Sequence, residues 1–175
     1  MMETKDAGGV QPPRLEACGR RVAGYASLFG VEDRGGDVVA PGAYCDGLAR
    51  AAAEGRRIKM LWQHEASEVI GVWEVLREDA KGLWVEGRLL EGVGRGREAA
   101  ALLAEGALDG LSIGYTVKRA GRDGQGRRVL HEVELWEVSL VTFPMLPSAR
   151  VAAKAAPLRE VARALRGARA AMARP

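Results

Sequence analysis

Cysteine and histidine are scarce in this chain. Its 175 residues include two cysteines, Cys18 and Cys45, and two histidines, His64 and His131. That excludes a disulfide framework, and with it a zinc site built from several thiolates or a cluster of imidazoles. No metal and no other cofactor is expected. No stretch approaches the roughly 18 apolar residues of a membrane-spanning helix, so no membrane partner is expected either. The opening residues MMETKDAGGVQPPR contain no apolar segment of the kind a secretory signal needs. The expectation is a soluble cytoplasmic protein with reduced thiols.

Apolar residues make up 47% of the chain and charged residues 28%, an ordinary globular balance. Alanine supplies 29 of the apolar residues, so the core must come from 18 Leu, 17 Val and four Trp. The length suits one domain that folds without covalent staples. The net charge is +3, unevenly placed. Residues 151–175 carry Lys154, Arg159, Arg163, Arg166, Arg169 and Arg174 against Glu160 alone, while the body is close to neutral. The arginines are not interleaved with aromatic side chains, so specific nucleic-acid binding is not expected.

Residues 1–16 are polar, contain Pro12-Pro13 and read as a loose arm. The body spans 17–151. Alternation marks strands over 20–28, 58–62, 69–77, 82–90, 111–119 and 128–142, with turns at 78–81 and at GRDGQGR. Residues 30–42 read as a loop. Residues 43–54 read as a helix ended by Gly55, and 97–109 as an Ala-rich helix ended near Gly110. GVGRG (92–96) reads as a flexible connector; it lacks the spacing of a nucleotide-binding loop. Residues 152–175 read as a basic amphipathic tail helix, with Leu158, Val161, Ala162, Leu165 and Met172 near one face. Strands and helices do not alternate regularly, which disfavours a parallel doubly wound sheet. A mainly β fold with helices fits, as a mostly antiparallel barrel or sandwich.

Three side chains stand out chemically. His64 ends the apolar run Ile58–Trp62, where it is either a structural histidine or a general base on an exposed rim. Ser112 shares its strand face with Gly114, which leaves room for a carbonyl to approach, although an ordinary polar strand residue reads the same way. Glu137 interrupts the apolar run LWEVSLV, a costly place for an acid unless it is paired or half-exposed. His131 shares strand parity with Glu137 but lies about 20 Å away along an extended strand.

Four segments in order resemble the prohead maturation proteases of tailed phages, whose relatives occur in prophages and gene transfer agents. They are GYASLFGVEDRGGDVVAPGAY (24–44), KMLWQH (59–64), GALDGLSIGY (106–115) and LWEVSLVTFPMLPSARV (135–151). The resemblance covers about residues 20–151. It implies an assemblin-like fold, a mostly antiparallel β-barrel flanked by a few α-helices. It implies a serine endopeptidase with Ser112 as nucleophile, His64 as base and Glu137 as third member, with His131 the alternative because assemblins place a histidine there. The implied substrates are scaffold, or the scaffold-like N-terminal segment of the major capsid protein, together with the enzyme itself, inside an immature capsid. A homodimer or higher oligomer is compatible with it. The competing reading is a catalytically inactive assembly factor of the same fold that binds scaffold.

Overall fold

The computed structural model describes residues 21–152. The arm at 1–16 and the tail helix at 152–175 thus lie outside the described residues, apart from Ala152. The elements are β1 (Arg21–Leu28), β2 (Asp37–Val39), α1 (Cys45–Ala53), β3 (Lys59–Trp62), β4 (Glu65–Glu78), β5 (Gly82–Leu89), α2 (Gly94–Ala104), β6 (Gly110–Arg122) and β7 (Arg128–Val141). The strands form one curled seven-stranded sheet, a half-barrel, in the order β1-β5-β4-β3-β7-β2, with β6 on the other edge of β7. The pairs β1·β5, β4·β5, β3·β4 and β6·β7 are antiparallel. Two short pairings, β2·β7 and β3·β7, are parallel.

β7 is the spine. It bonds β6 along one edge and both β2 and β3 along the other. A strand covered in this way can be apolar along most of its length. Accordingly Leu130, Val133, Leu135, Val138 and Leu140 are all buried in the core. They pack with Met60, Ile70, Leu83, Val85 and Leu111 from the neighbouring strands, and α1 and α2 lay Ala51, Ala99 and Leu103 onto the same core.

Both helices stop for a local reason. Gly55 and Gly106 sit in the left-handed region with φ of 65° and 68°. Each is followed by the paired bonds of a Schellman end: Gly55 N–H to Ala52 and Arg56 N–H to Ala51, then Gly106 N–H to Leu103 and Ala107 N–H to Leu102. The Gly55 stop agrees with the sequence reading. The second helix ends earlier than expected, because Gly106 captures its last carbonyls before Gly110 is reached.

Three segments differ from expectation. β4 begins at Glu65 rather than at 69, through a polar start that carries no alternation. The loop expected over 30–42 contains β2. Asp33 folds the chain back by accepting the N–H groups of Gly35 and Asp37, and Arg128 of β7 then grips Asp37. The connector expected at 92–96 is partly the first turn of α2, which starts at Gly94. Arg95 holds that turn through Glu98 and lies 5.3 Å from the centre of the Trp62 ring.

A backbone seam joins the sheet's far edges. Ala149 O accepts from Leu111, Val151 N–H donates to Asp109, and Ala152 N–H donates to Ala23. Gly24 lies opposite Val151. A Cβ there would sit 3.0 Å from Val151 Cα and closer still to Arg150 O. Gly24→Ala should therefore destabilise the protein by about 1–3 kcal/mol through overpacking. Urea unfolding measures it; a loss within error of zero would mean the seam yields freely.

Candidate active site

The registers on the two edges of β7 line up the site. Ser139 of β7 lies opposite Ser112 of β6 on one side and opposite Leu61 of β3 on the other. Glu137, two residues earlier, lies opposite Gly114 of β6 and Lys59 of β3. Residues opposite one another, and those two apart, share a sheet face. Ser112, Ser139 and Glu137 thus form one polar patch among the apolar residues Leu111, Ile113, Val138 and Leu140.

His64 reaches this patch from the turn after β3. Gln63 and His64 are the two loop residues of the β3–β4 hairpin, and both have positive φ, 49° and 64°. Primed hairpin turns need that conformation and ordinarily use Asn or Gly for it. The turn is pinned at three places, two on β7 and one on Thr142 just after it. Gln63 N–H donates to Leu140 O at 3.0 Å. The Gln63 amide donates to Thr142 Oγ1 at 2.8 Å and accepts the Thr142 N–H at 3.2 Å. His64 N–H donates to Ser139 Oγ at 3.1 Å.

The imidazole bridges the other two predicted residues. His64 Nδ1 is 2.6 Å from Glu137 Oε1, and Nε2 is 3.0 Å from Ser112 Oγ. A carboxylate at Nδ1 keeps the ring's proton there, leaving Nε2 to accept from the serine hydroxyl. Glu137 is nearly buried, its side chain 11% exposed, whereas the imidazole is 43% exposed. The Glu137 hydrogen bond raises the His64 pKa above its ordinary value of 6.5; partial burial pulls the other way, and the charge of Glu137 adds to the rise.

His131 is not in this group. It lies farther back along β7, with its ring against Gly121. Parity could not have placed it, because the β6–β7 register shifts between Gly114 and Tyr115 and again on either side of Arg119. At the first shift Trp136 bulges outward, donates to Thr116 Oγ1 at 2.9 Å and stacks under the Arg56 guanidinium. A bulge re-aims the side chains that follow it, and the next residue is Glu137.

Two residues were not singled out as site members by sequence. Ser139 donates to Glu137 Oε2 at 2.6 Å and has no exposed surface. The signal for it was the spacing in Glu-Val-Ser, which puts acid and hydroxyl on one face. From sequence, Gly114 reads as clearance for a substrate. Its tightest neighbour is instead Glu137, whose Cγ and Cδ would lie 2.8 Å from an added Cβ.

Ser112 itself is buried, but it lines a cavity of about 260 Å³ whose walls include Leu28, Val31, Ile113, Met145 and Leu146. Asp37 sits in the same wall. Its carboxylate is held low chiefly by the Arg128 hydrogen bond, against the opposing effect of burial. Tyr115 beside it is pushed up to about 12, mainly by burial. Among the described residues, no three His, Cys, Asp or Glu side chains are placed to hold a metal ion, and no helix is long and apolar enough to cross a membrane.

These contacts have a measurable consequence. The folded protein binds the His64 proton more tightly than the unfolded chain does. The pair therefore adds stability that is complete below the unfolded pKa and is lost as pH rises through the folded one. An NMR titration should place the His64 pKa above 6.5 in the wild type. Gly114→Ala, by displacing Glu137, should lower it; an unchanged value would mean the carboxylate does not control the ring.

The family described as "Caudovirus prohead serine protease" matches residues 12–164. The prohead protease of Enterobacteria phage HK97 is 35% identical over 133 residues, covering 74% of this chain and 58% of that protein. The chain thus spans a little over half the length of this curated relative. Among solved structures, the bacteriophage T4 capsid assembly protease superposes with a TM-score of 0.55 at 14% identity, over 69% of this chain and 82% of that one. The varicella-zoster virus protease gives a TM-score of 0.47 at 16% identity, over 75% and 62%. The family match spans most of the sequence and takes in all four segments that carried the resemblance: the chain belongs to the caudovirus prohead serine protease family.

Proposed function

We propose that this chain is a serine endopeptidase of capsid maturation, with Ser112 as nucleophile, His64 as general base and Glu137 as the acid that orients it. The observation that carries this reading is the continuous hydrogen-bond chain Ser112–His64–Glu137, drawn from three elements far apart in sequence. His64 Nε2 takes the hydroxyl proton as Ser112 Oγ bonds to a peptide carbonyl carbon. Glu137 stabilises the resulting imidazolium through Nδ1. The tetrahedral intermediate collapses as the imidazolium delivers that proton to the leaving amine. Water then repeats the sequence in reverse on the acyl-enzyme, freeing the acid and restoring the hydroxyl.

The substrates proposed are scaffold, or the scaffold-like N-terminal segment of the major capsid protein, together with the protease's own termini. The site of action proposed is the interior of an immature capsid. Membership in the prohead protease family supports this, and the cavity beside Ser112 is large enough for a side chain next to the scissile bond. An inactive assembly factor of the same fold would have no need for three intact side chains in contact, and this weighs against that alternative.

The test is co-expression with a major capsid protein that carries a scaffold-like N-terminal segment, and intact-mass analysis of the products. Ser112→Ala should reduce cleavage by on the order of 10⁵-fold or more, and Glu137→Gln by less, because it orients rather than attacks. Undiminished cleavage by Ser112→Ala would remove the assignment. His64 must be neutral to accept a proton. Activity should therefore fall as pH drops through a midpoint above 6.5, the direction in which Glu137 moves this imidazole. A rate that is flat across that range would exclude His64 as the base.

A further inference from the structure

We propose that Ser139 is a positioning residue, whose one buried hydroxyl holds the base and the acid of this site in register with each other. The inference rests on the peptidase reading above and adds to it a residue that does not touch the reacting atoms.

A serine hydroxyl has one proton to donate and lone pairs to accept with. Ser139 Oγ accepts the His64 backbone N–H, so its proton is free for Glu137 Oε2, which lies 2.6 Å away. The other oxygen of that carboxylate, Oε1, faces His64 Nδ1. The three bonds close a ring from the His64 backbone, through Ser139 and Glu137, to the His64 imidazole. Within it the carboxylate cannot rotate without breaking a bond at each oxygen. The imidazole cannot swing away without leaving its acid, and the hydroxyl rotor is fixed by its neighbours on both sides.

The turn that carries His64 needs such a hold. Side chains with a Cβ occupy the left-handed region reluctantly, and such backbone persists where its surroundings over-determine it. The bonds from Gln63 to Leu140 and Thr142 fix the first turn residue. The bond from the second residue's own N–H ends on Ser139. Strand register does the rest, since Ser139 stands between Ser112 on β6 and Leu61 on β3. One hydroxyl therefore ties the nucleophile's neighbour strand, the base's turn and the acid together.

A serine that merely fills core space would behave differently. Removing its hydroxyl would lower stability, but the effect on reactivity would be the same whether or not Glu137 could act. The readout is phosphonylation of the full-length protein by a fluorophosphonate, which reports Ser112 reactivity without a natural substrate. Wild type should label on Ser112. Ser139→Ala should slow the limiting labelling rate about tenfold to a hundredfold, as small misplacements of a base do, with the half-saturating probe concentration unchanged. In a Glu137→Gln background the same substitution should change the rate by less than about threefold, because the carboxylate with which it keeps the base in register has already been disabled. If Ser139→Ala does not fold, Ser139→Cys carries the same expectations, since it fills the site with a weak donor. An unchanged rate, or an equal loss in both backgrounds, would overturn the positioning role. A wild type that does not label at Ser112 would overturn the peptidase reading, and this proposal with it.

Discussion

The pairing of β7 with different partners on its two edges is the constraint on which the site depends. Antiparallel pairing to β6 sets Ser112 across from Ser139, and parallel pairing to β3 brings the β3–β4 turn over the same row. Neither partner strand could build the site alone. A one-residue slip on either edge would send the polar side chains to the opposite face. The apolar run of β7 makes such a slip costly, because Val138 and Leu140 would have to leave the core that they fill.

Electrostatics follow from that framework. Glu137 is an acid in an apolar strand, and its burial is tolerated because both oxygens are bonded, one to His64 and one to Ser139. The same bond raises the proton affinity of the imidazole. Away from the site, Glu134 is another buried acid, and it is matched by Arg50, Arg56 and Lys118. The contrast is informative. Glu134 faces guanidinium groups that are always charged and serves structure. Glu137 faces a ring that can gain and lose a proton. The Trp73 N–H bond to Val138 O ties β4 to the residue of β7 between Glu137 and Ser139.

Much of this was legible in the sequence, and the rest was not, for identifiable reasons. Alternation located the strands because one face of each is buried, and Gly55 marked a helix end because its φ is positive. An acid amid Leu, Trp and Val marked Glu137 as either paired or half-exposed, and the structure pairs both of its oxygens. β2 was hidden because three residues carry no period; Asp37 is held there by a charge pair with Arg128, 91 residues away. The start of α2 was hidden because glycines at 94 and 96 mimic a linker. The polar run Glu65–Glu68 concealed the exposed beginning of β4. His64's left-handed turn had no Asn or Gly to announce it. Ser139 was visible as a residue but not as a role, since its partner is the backbone N–H of a turn 75 positions earlier.

The central claim is that the hydroxyl of residue 112 is the reactive one, made so by the imidazole at 64. Peptide mapping of the protein after reaction with a serine-directed phosphonate tests it most directly. The account predicts one adduct, on Ser112, that does not form in His64→Ala. An adduct on Ser27, Ser139 or another serine, or one on Ser112 that forms equally well without His64, would contradict it.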